Sequence, residues 1–159
     1  ALAAGLSLAE VSDGLKNFSN IKGRLNIKQG IKGATLIDDT YNANPDSMKA
    51  AIDVLAAMPA PRIFVMGDMG ELGEDEAAAM HAEVGAYARD KGIEAAYFVG
   101  DNSVEAAETF GAEGLWFADK DPLIQVLSHN LPERATVLVK GSRFMKMEEV
   151  VEVLAATTA

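Results

Sequence analysis

The sequence predicts a three-layer α/β domain, with a mostly parallel β-sheet and helices on both faces. Four short apolar runs, ATLIDD, RIFVMGD, AAYFVGD and TVLVKGS, and a weaker fifth, GLWFAD, each end in a polar or glycine corner. Three of the segments between them carry helical spacing instead. Alternating strand and helix implies right-handed crossovers and parallel pairing, and nearly continuous apolar strands agree with burial on both faces.

Taken in order, residues 1–20 read as a helix already in progress where the sequence begins, a leader or linker ahead of the main domain. GRLNIKQGIKGATLIDD reads as an N-terminal hairpin, turned at Gln29–Gly30, that leads into the first core strand. Asn44 is a good N-cap and Pro45 suits a first helical turn. The helix they open places Met48, Ala51, Ile52 and Leu55 on one face. RIFVMGD is the next strand, followed by a helix with Met80, Val84, Tyr87 and Ala88 at helical spacing. AAYFVGD and GLWFAD come next, then a helix marked by Leu123, Val126 and Leu127. TVLVKGS is the last strand, and Met147 to Leu154 form a closing helix. Residues 21–159 thus make one α/β domain, without internal repeat or low-complexity segment.

The bulk numbers bound the function. A chain of 159 residues suits one domain with a sizeable core, and 49% apolar residues argue against disorder. No apolar run is long enough to span a bilayer and no signal peptide is visible, so no membrane partner is expected. The absence of cysteine removes disulfides, thiolate metal sites and thiol nucleophiles, and fits a cytoplasmic protein. A net charge of −10 disfavours nucleic acid, whose backbone needs a basic surface, but leaves room for a single nucleotide held by a few local groups.

Ligands of open α/β sheets bind beyond the carboxyl ends of the strands, and the polar corners lie at those ends. The first corner, DDTYNANPDS, gathers Asp38, Asp39, Tyr41, Asn42 and Asn44. A plain helix start accounts for Asn44 and Asp46 but leaves Asp38, Asp39 and Asn42 without a purpose. Capping and anion binding can also coexist at a helix N-terminus.

The second corner, GDMGELGEDE, spaces Gly67, Gly70 and Gly73 as neither a dinucleotide fingerprint nor a P-loop. Asp68, Glu71, Glu74, Asp75 and Glu76 would repel a pyrophosphate; they suit a cation, either a metal or an ammonium group. The plainer alternative is a glycine turn before a helix whose first turn is acidic, as the helix dipole favours. The third corner, VKGSRFMKMEE, closes a strand with Lys140, Ser142 and Arg143, flanked by Phe144. Such cations hold carboxylates or phosphates. A solvated basic turn is the alternative, weakened by the acidity of the rest of the chain. An acidic and a basic loop on one edge could grip a zwitterion by both ends.

His81 reads as a packing or surface residue and His129 as C-terminal capping chemistry. No Ser-His-Asp order or metal-ligand cluster is visible, so no catalytic residue and no metal site is assigned within the chain.

Four segments, GRLN at Gly23 to Asn26, IDDTYNANPDSM, VMGDMGELG and VKGSRFMKMEEVV, in this order and spacing, resemble the C-terminal domain of the Mur ligases over roughly residues 20–155. The similar branch joins D-alanyl-D-alanine to UDP-N-acetylmuramoyl-tripeptide in peptidoglycan precursor synthesis. The resemblance implies a Rossmann-like domain that closes over ATP and brings the dipeptide amine to an acyl phosphate. By it, Arg24, Asp39, Tyr41, Asn42 and Asn44 face the nucleotide. Asp68, Gly70, Glu71, Lys140, Ser142, Arg143 and Phe144 lie toward D-alanyl-D-alanine. Residues 1–20 then correspond to the end of a preceding central ATPase domain. ATP and Mg²⁺ would be held mainly by that central domain, since no G-x-x-x-x-G-K-[ST] occurs in this chain. About one third of an enzyme is expected, inactive without its N-terminal and central domains.

Two other functions compete. Phosphoacceptor receiver domains carry paired acids after the first strand, an Asp after the third and a Lys after the fifth, places that Asp38-Asp39, Asp101 and Lys140 can fill. Gly141 stands where receivers usually have proline, and FADKD lacks their Ser or Thr. A non-catalytic interaction domain would leave the corners exposed and tolerant of alanine.

Overall fold

The computed structural model describes residues 26–40, 43–70 and 73–155. The expected helix at 1–20 and the candidate residues Arg24, Tyr41, Asn42 and Glu71 lie outside the described residues. The elements run β1 (Asn26–Gln29), β2 (Thr35–Asp39), α1 (Pro45–Ala56), β3 (Arg62–Gly67), α2 (Glu74–Asp90), β4 (Ala95–Val99), α3 (Ser103–Phe110), β5 (Gly114–Phe117), α4 (Lys120–Asn130), β6 (Thr136–Lys140) and α5 (Glu148–Leu154). The described strands form one sheet in the order β1-β2-β6-β3-β4-β5. Among them only β1 runs antiparallel to its neighbour.

Alternate residues of β2, β3, β4 and β6 feed two apolar layers. On one face Ile37, Phe64, Met66, Phe98 and Leu138 meet α1, α2 and α3. The contacts of α1 come from Met48, Ala51, Ile52 and Leu55, the stripe expected from the sequence. On the other face Leu36, Val65, Tyr97, Val137 and Val139 meet Leu123 and Leu127 of α4 and Val150, Val151 and Leu154 of α5. Strands covered on both sides need no polar face, which is why their apolar runs are continuous.

Three local differences from expectation have physical reasons. The hairpin does not turn at Gln29–Gly30. Gln29 still pairs with Thr35, and the reversal is a 3₁₀ turn over Ile31–Gly33, closed by Gly30 N–H donating to Ala34 O at 2.7 Å. The turn needs left-handed backbone at Lys32 (φ 56°) and Gly33 (φ 72°), which glycine accepts at low cost. Apolar spacing does not mark the helix α3. Its buried positions are Ser103, Ala106, Ala107 and Phe110, mostly small residues that leave little hydrophobic pattern. The closing helix begins at Glu148, with buried Met147 as its cap position.

Candidate functional site

The chain reverses its direction across the sheet at β6, which returns from the far edge to lie between β2 and β3. The helices that follow β2 and β3 cover one face, and the helix that follows β6 covers the other. The carboxyl end of β6 is therefore a topological switch point, the position where such sheets bind ligands. The three polar corners converge there.

Asp39 and Lys140 are register partners in the β2–β6 ladder, with Met66 of β3 on the other side of Lys140. Lys140 Nζ donates to Asp39 Oδ2 at 2.8 Å, and the two residues are 2% and 6% exposed. A strand-end lysine thus reaches a buried carboxylate instead of solvent, and each charge compensates the other's loss of water. The sequence places the two at opposite ends of the site; the fold joins them.

The neighbouring acid belongs to the opposite face. Asp38 accepts from Lys28 Nζ of β1 at 2.8 Å and from Thr40 Oγ1 at 2.7 Å. It stitches the hairpin to the strand end and fixes the chain where it leaves the sheet. The tandem acids of the sequence are therefore two separate structural pairs, a consequence of strand alternation. Asn44 forms a reciprocal capping box: its Oδ1 accepts from Ser47 N at 2.8 Å, and Ser47 Oγ accepts from Asn44 N at 2.9 Å. That box, with Pro45 behind it, sets the angle at which α1 departs.

At the end of β3, the Asp68 carboxylate turns inward to the start of α3. It accepts from Ser103 N (2.8 Å), Ser103 Oγ (2.7 Å) and Asn102 N (3.1 Å), so a residue 35 positions upstream caps the helix. The carboxylate passes directly over Gly100. With φ +115° and no room for a Cβ beside Asp68 Oδ1, only glycine fits that position.

The acidic and basic loops touch. Ser142 donates to Asp68 O twice, from N at 3.0 Å and from Oγ at 2.7 Å. A Cβ built on Gly70 would lie 3.0 Å from the Phe144 ring and 3.5 Å from Ser142 Cβ. Asp68, Gly70, Ser142 and Phe144 thus form one surface, with Phe144 66% exposed above it and Arg143 exposed beside it.

Two residues outside the sequence-based site support these loops. Lys120, at the start of α4, donates to Met145 O at 2.8 Å and pairs with Glu149 at 2.8 Å, holding the basic loop from beneath. His81, fully buried on α2, accepts from Met69 N at 2.9 Å. Neither shows a sequence signal beyond its position in an amphipathic segment, because both act on groups distant in the chain.

Asp101 is exposed at the end of β4 and does not join this group. The strands β6 and β3 stand between it and Asp39, a separation of three inter-strand spacings, about 14 Å. The acids counted for a phosphoacceptor site therefore do not share one corner. Among the described residues no group of three His, Cys, Asp or Glu is placed to hold a metal ion, and no helix is long and apolar enough to cross a membrane.

Comparison with known proteins adds a family. The profile of the Mur ligase, glutamate ligase domain, matches residues 23–143. The chain is 44% identical over 155 residues to the UDP-N-acetylmuramoyl-tripeptide–D-alanyl-D-alanine ligase of Escherichia coli (strain K12), covering 96% of this chain and 34% of that protein. It is 41% identical over 157 residues to the enzyme of the same name from Haemophilus influenzae, with 95% and 34% covered. Among solved structures, a MurF from Acinetobacter baumannii superimposes with a TM-score of 0.75 at 35% identity, over 96% of this chain and 34% of that one. A MurF ligase from Thermotoga maritima in complex with ADP gives 0.74 at 26% identity, over 85% and 31%. The chain spans about a third of the length of the relatives it matches.

Proposed function

The chain belongs to the Mur ligase family through its glutamate ligase domain, and from that membership we propose that it is the C-terminal domain of an ATP-dependent ligase that joins D-alanyl-D-alanine to UDP-N-acetylmuramoyl-tripeptide. The observation that carries the proposal is the double hydrogen bond from Ser142 to Asp68 O. It makes the acidic and basic loops one surface, on which the dipeptide is placed with its carboxylate toward Arg143.

In this reading Arg143 supplies positive charge for the dipeptide carboxylate, while Ser142 and Gly70 present a polar floor and Phe144 an apolar wall. Asp68 acts through its main chain, since its carboxylate caps α3. Lys140 holds Asp39 in place at the switch point, where Asp39 takes hydroxyl or amine donors of the nucleotide. Arg24, Tyr41, Asn42 and Asn44 complete that side. A buried Asp already matched by a Lys suits neutral donors better than phosphates, so the phosphates are assigned to the part of the relatives that this chain does not span. Mg²⁺ is assigned there as well, because the described residues offer no cluster to hold it, and no step here depends on it.

ATP supplies the phosphoryl group that activates the tripeptide's terminal carboxylate. The domain's contribution is to bring the neutral dipeptide amine to that carbon and to exclude water. The amine forms the new C–N bond, the C–O bond to phosphate breaks, and the amine gives up a proton. Closure of a domain carrying its own substrate achieves both tasks.

The test is a full-length ligase containing this chain, assayed with Mg-ATP, UDP-N-acetylmuramoyl-tripeptide and D-alanyl-D-alanine. ADP release that requires both acceptor and dipeptide, with a pentapeptide product by mass spectrometry, supports the proposal. Equal turnover with D-glutamate or a single alanine in place of the dipeptide would overturn it.

A further inference from the structure

Resting on the ligase reading above, we propose that His81 is a positioning residue for the amino substrate: as a neutral imidazole protonated on Nδ1, it fixes the orientation of the Asp68–Met69 peptide on which the dipeptide surface is built.

The protonation follows from partners alone. His81 Nδ1 lies 2.7 Å from Ala77 O, one helical turn earlier. A carbonyl can only accept, so Nδ1 carries the proton. Nε2 lies 2.9 Å from Met69 N, a backbone amide that can only donate. Nε2 therefore keeps its lone pair, and the ring holds one proton at a defined atom. Asp68 Oδ1, at 3.9 Å from Nε2, is beyond hydrogen-bond distance and engaged with α3, so the contact is not an ion pair.

The bonded groups share one peptide unit. Met69 N–H and Asp68 C=O belong to the same plane: the N–H is held from the core by His81, and the C=O is held from the loop side by Ser142 N–H and Oγ. Rotating that plane would break all three bonds. It would also leave Met69 N–H, on a residue only 2% exposed, without an acceptor. This explains a fully buried polar side chain on a helix face that otherwise packs Val84 and Ala88. An aliphatic residue would fill the volume but could not orient the peptide. Because Gly70 and Phe144 meet immediately beyond, a flipped peptide would displace the floor of the proposed site.

The test uses the full-length ligase and two substitutions. His81→Leu removes the acceptor, whereas His81→Gln can place Oε1 where Nε2 stood. The KM for D-alanyl-D-alanine is expected to rise about tenfold in His81→Leu, the loss of one buried hydrogen bond. The KM values for ATP and UDP-N-acetylmuramoyl-tripeptide should stay unchanged, and His81→Gln should recover most of the loss. A purely structural role would instead lower the active fraction and leave every KM alone. A second measurement does not depend on the variants folding: in the ¹⁵N-labelled wild type, a ¹⁵N–¹⁵N coupling should connect Met69 N with His81 Nε2. Absence of that coupling, a proton on Nε2, or an unaltered dipeptide KM in folded His81→Leu would overturn the proposal. Loss of ligase activity in the wild type with the coupling present would instead count against the ligase reading.

Discussion

Lys140 and Asp39, 101 residues apart in the chain, meet at 2.8 Å between neighbouring parallel strands whose following helices pack on opposite faces of the sheet. The pair binds the first corner of the site to the third. A ligand contacting either residue therefore acts on both, and altering either removes a buried partner of the other.

Lys140→Met should accordingly destabilise the chain by about 3–5 kcal/mol, the cost of a buried carboxylate that has lost its counterion. Adding Asp39→Asn should restore more than half of the loss. Urea unfolding of the two single variants and the double variant measures the coupling directly. A Lys140→Met effect below about 1 kcal/mol would mean that the pair is hydrated like a surface bridge.

Gly100→Ala should cost about 1–3 kcal/mol from left-handed backbone alone, with collision against the Asp68 carboxylate added to it. Because that carboxylate caps α3, the loss should appear locally as faster amide exchange at Ser103 and the residues of the first turn. Asp68→Ala should show the same local fraying without backbone strain, worth about 1 kcal/mol or more. Unchanged exchange in both variants would remove Asp68 as the cap.

On the α1–α2 surface, Tyr87 OH donates to Asp53 Oδ1 at 2.6 Å, and that bond, with Lys91 nearby, holds the Asp53 carboxyl below its usual 3.8. A folded pKa below the unfolded one means that this contribution is present above pH 3.8 and is lost as pH falls through the lower folded value. Tyr87→Phe keeps the ring under Lys49 and Lys91 but removes the hydroxyl. The Asp53 carboxyl, followed by ¹³C NMR, should then titrate closer to 3.8. No movement would assign the depression to Lys91 instead.

Phe144 is two-thirds exposed and fills no core. Phe144→Ala should therefore change unfolding free energy by less than about 0.5 kcal/mol, yet raise the dipeptide KM of the full-length ligase. Asp39→Asn should raise the KM for ATP more than that for the dipeptide. Unaltered ATP kinetics in a folded Asp39→Asn enzyme would detach Asp39 from the nucleotide.

Much of this fold is legible in the sequence because doubly covered strands announce themselves: ATLIDD, RIFVMGD, AAYFVGD and TVLVKGS are apolar throughout and stop at polar corners. Their alternation with helices places the corners on one edge. What the sequence hides is long-range. Nothing local says that the last core strand inserts between β2 and β3, so the Asp39–Lys140 pair is invisible until the order is known. The short α3 lacks both a large apolar stripe and a local side-chain cap, since Asp68 provides the cap from far upstream. Adjacent acids suggest a shared site, but alternation turns Asp38 to Lys28 and Asp39 to Lys140. His81 reads as bland because its partner is a backbone amide, which no residue pattern encodes.

The most direct measurement is an amide-shift titration of the full-length ligase, with this domain isotopically labelled, using D-alanyl-D-alanine and then L-alanyl-L-alanine. Shifts concentrated at Gly67–Gly70 and Lys140–Phe144, produced by the D-dipeptide and not by its mirror image, are the expected result. Shifts confined to other surfaces of the domain, or equal for both enantiomers, would contradict the claim that the joined acidic and basic loops receive the amino substrate.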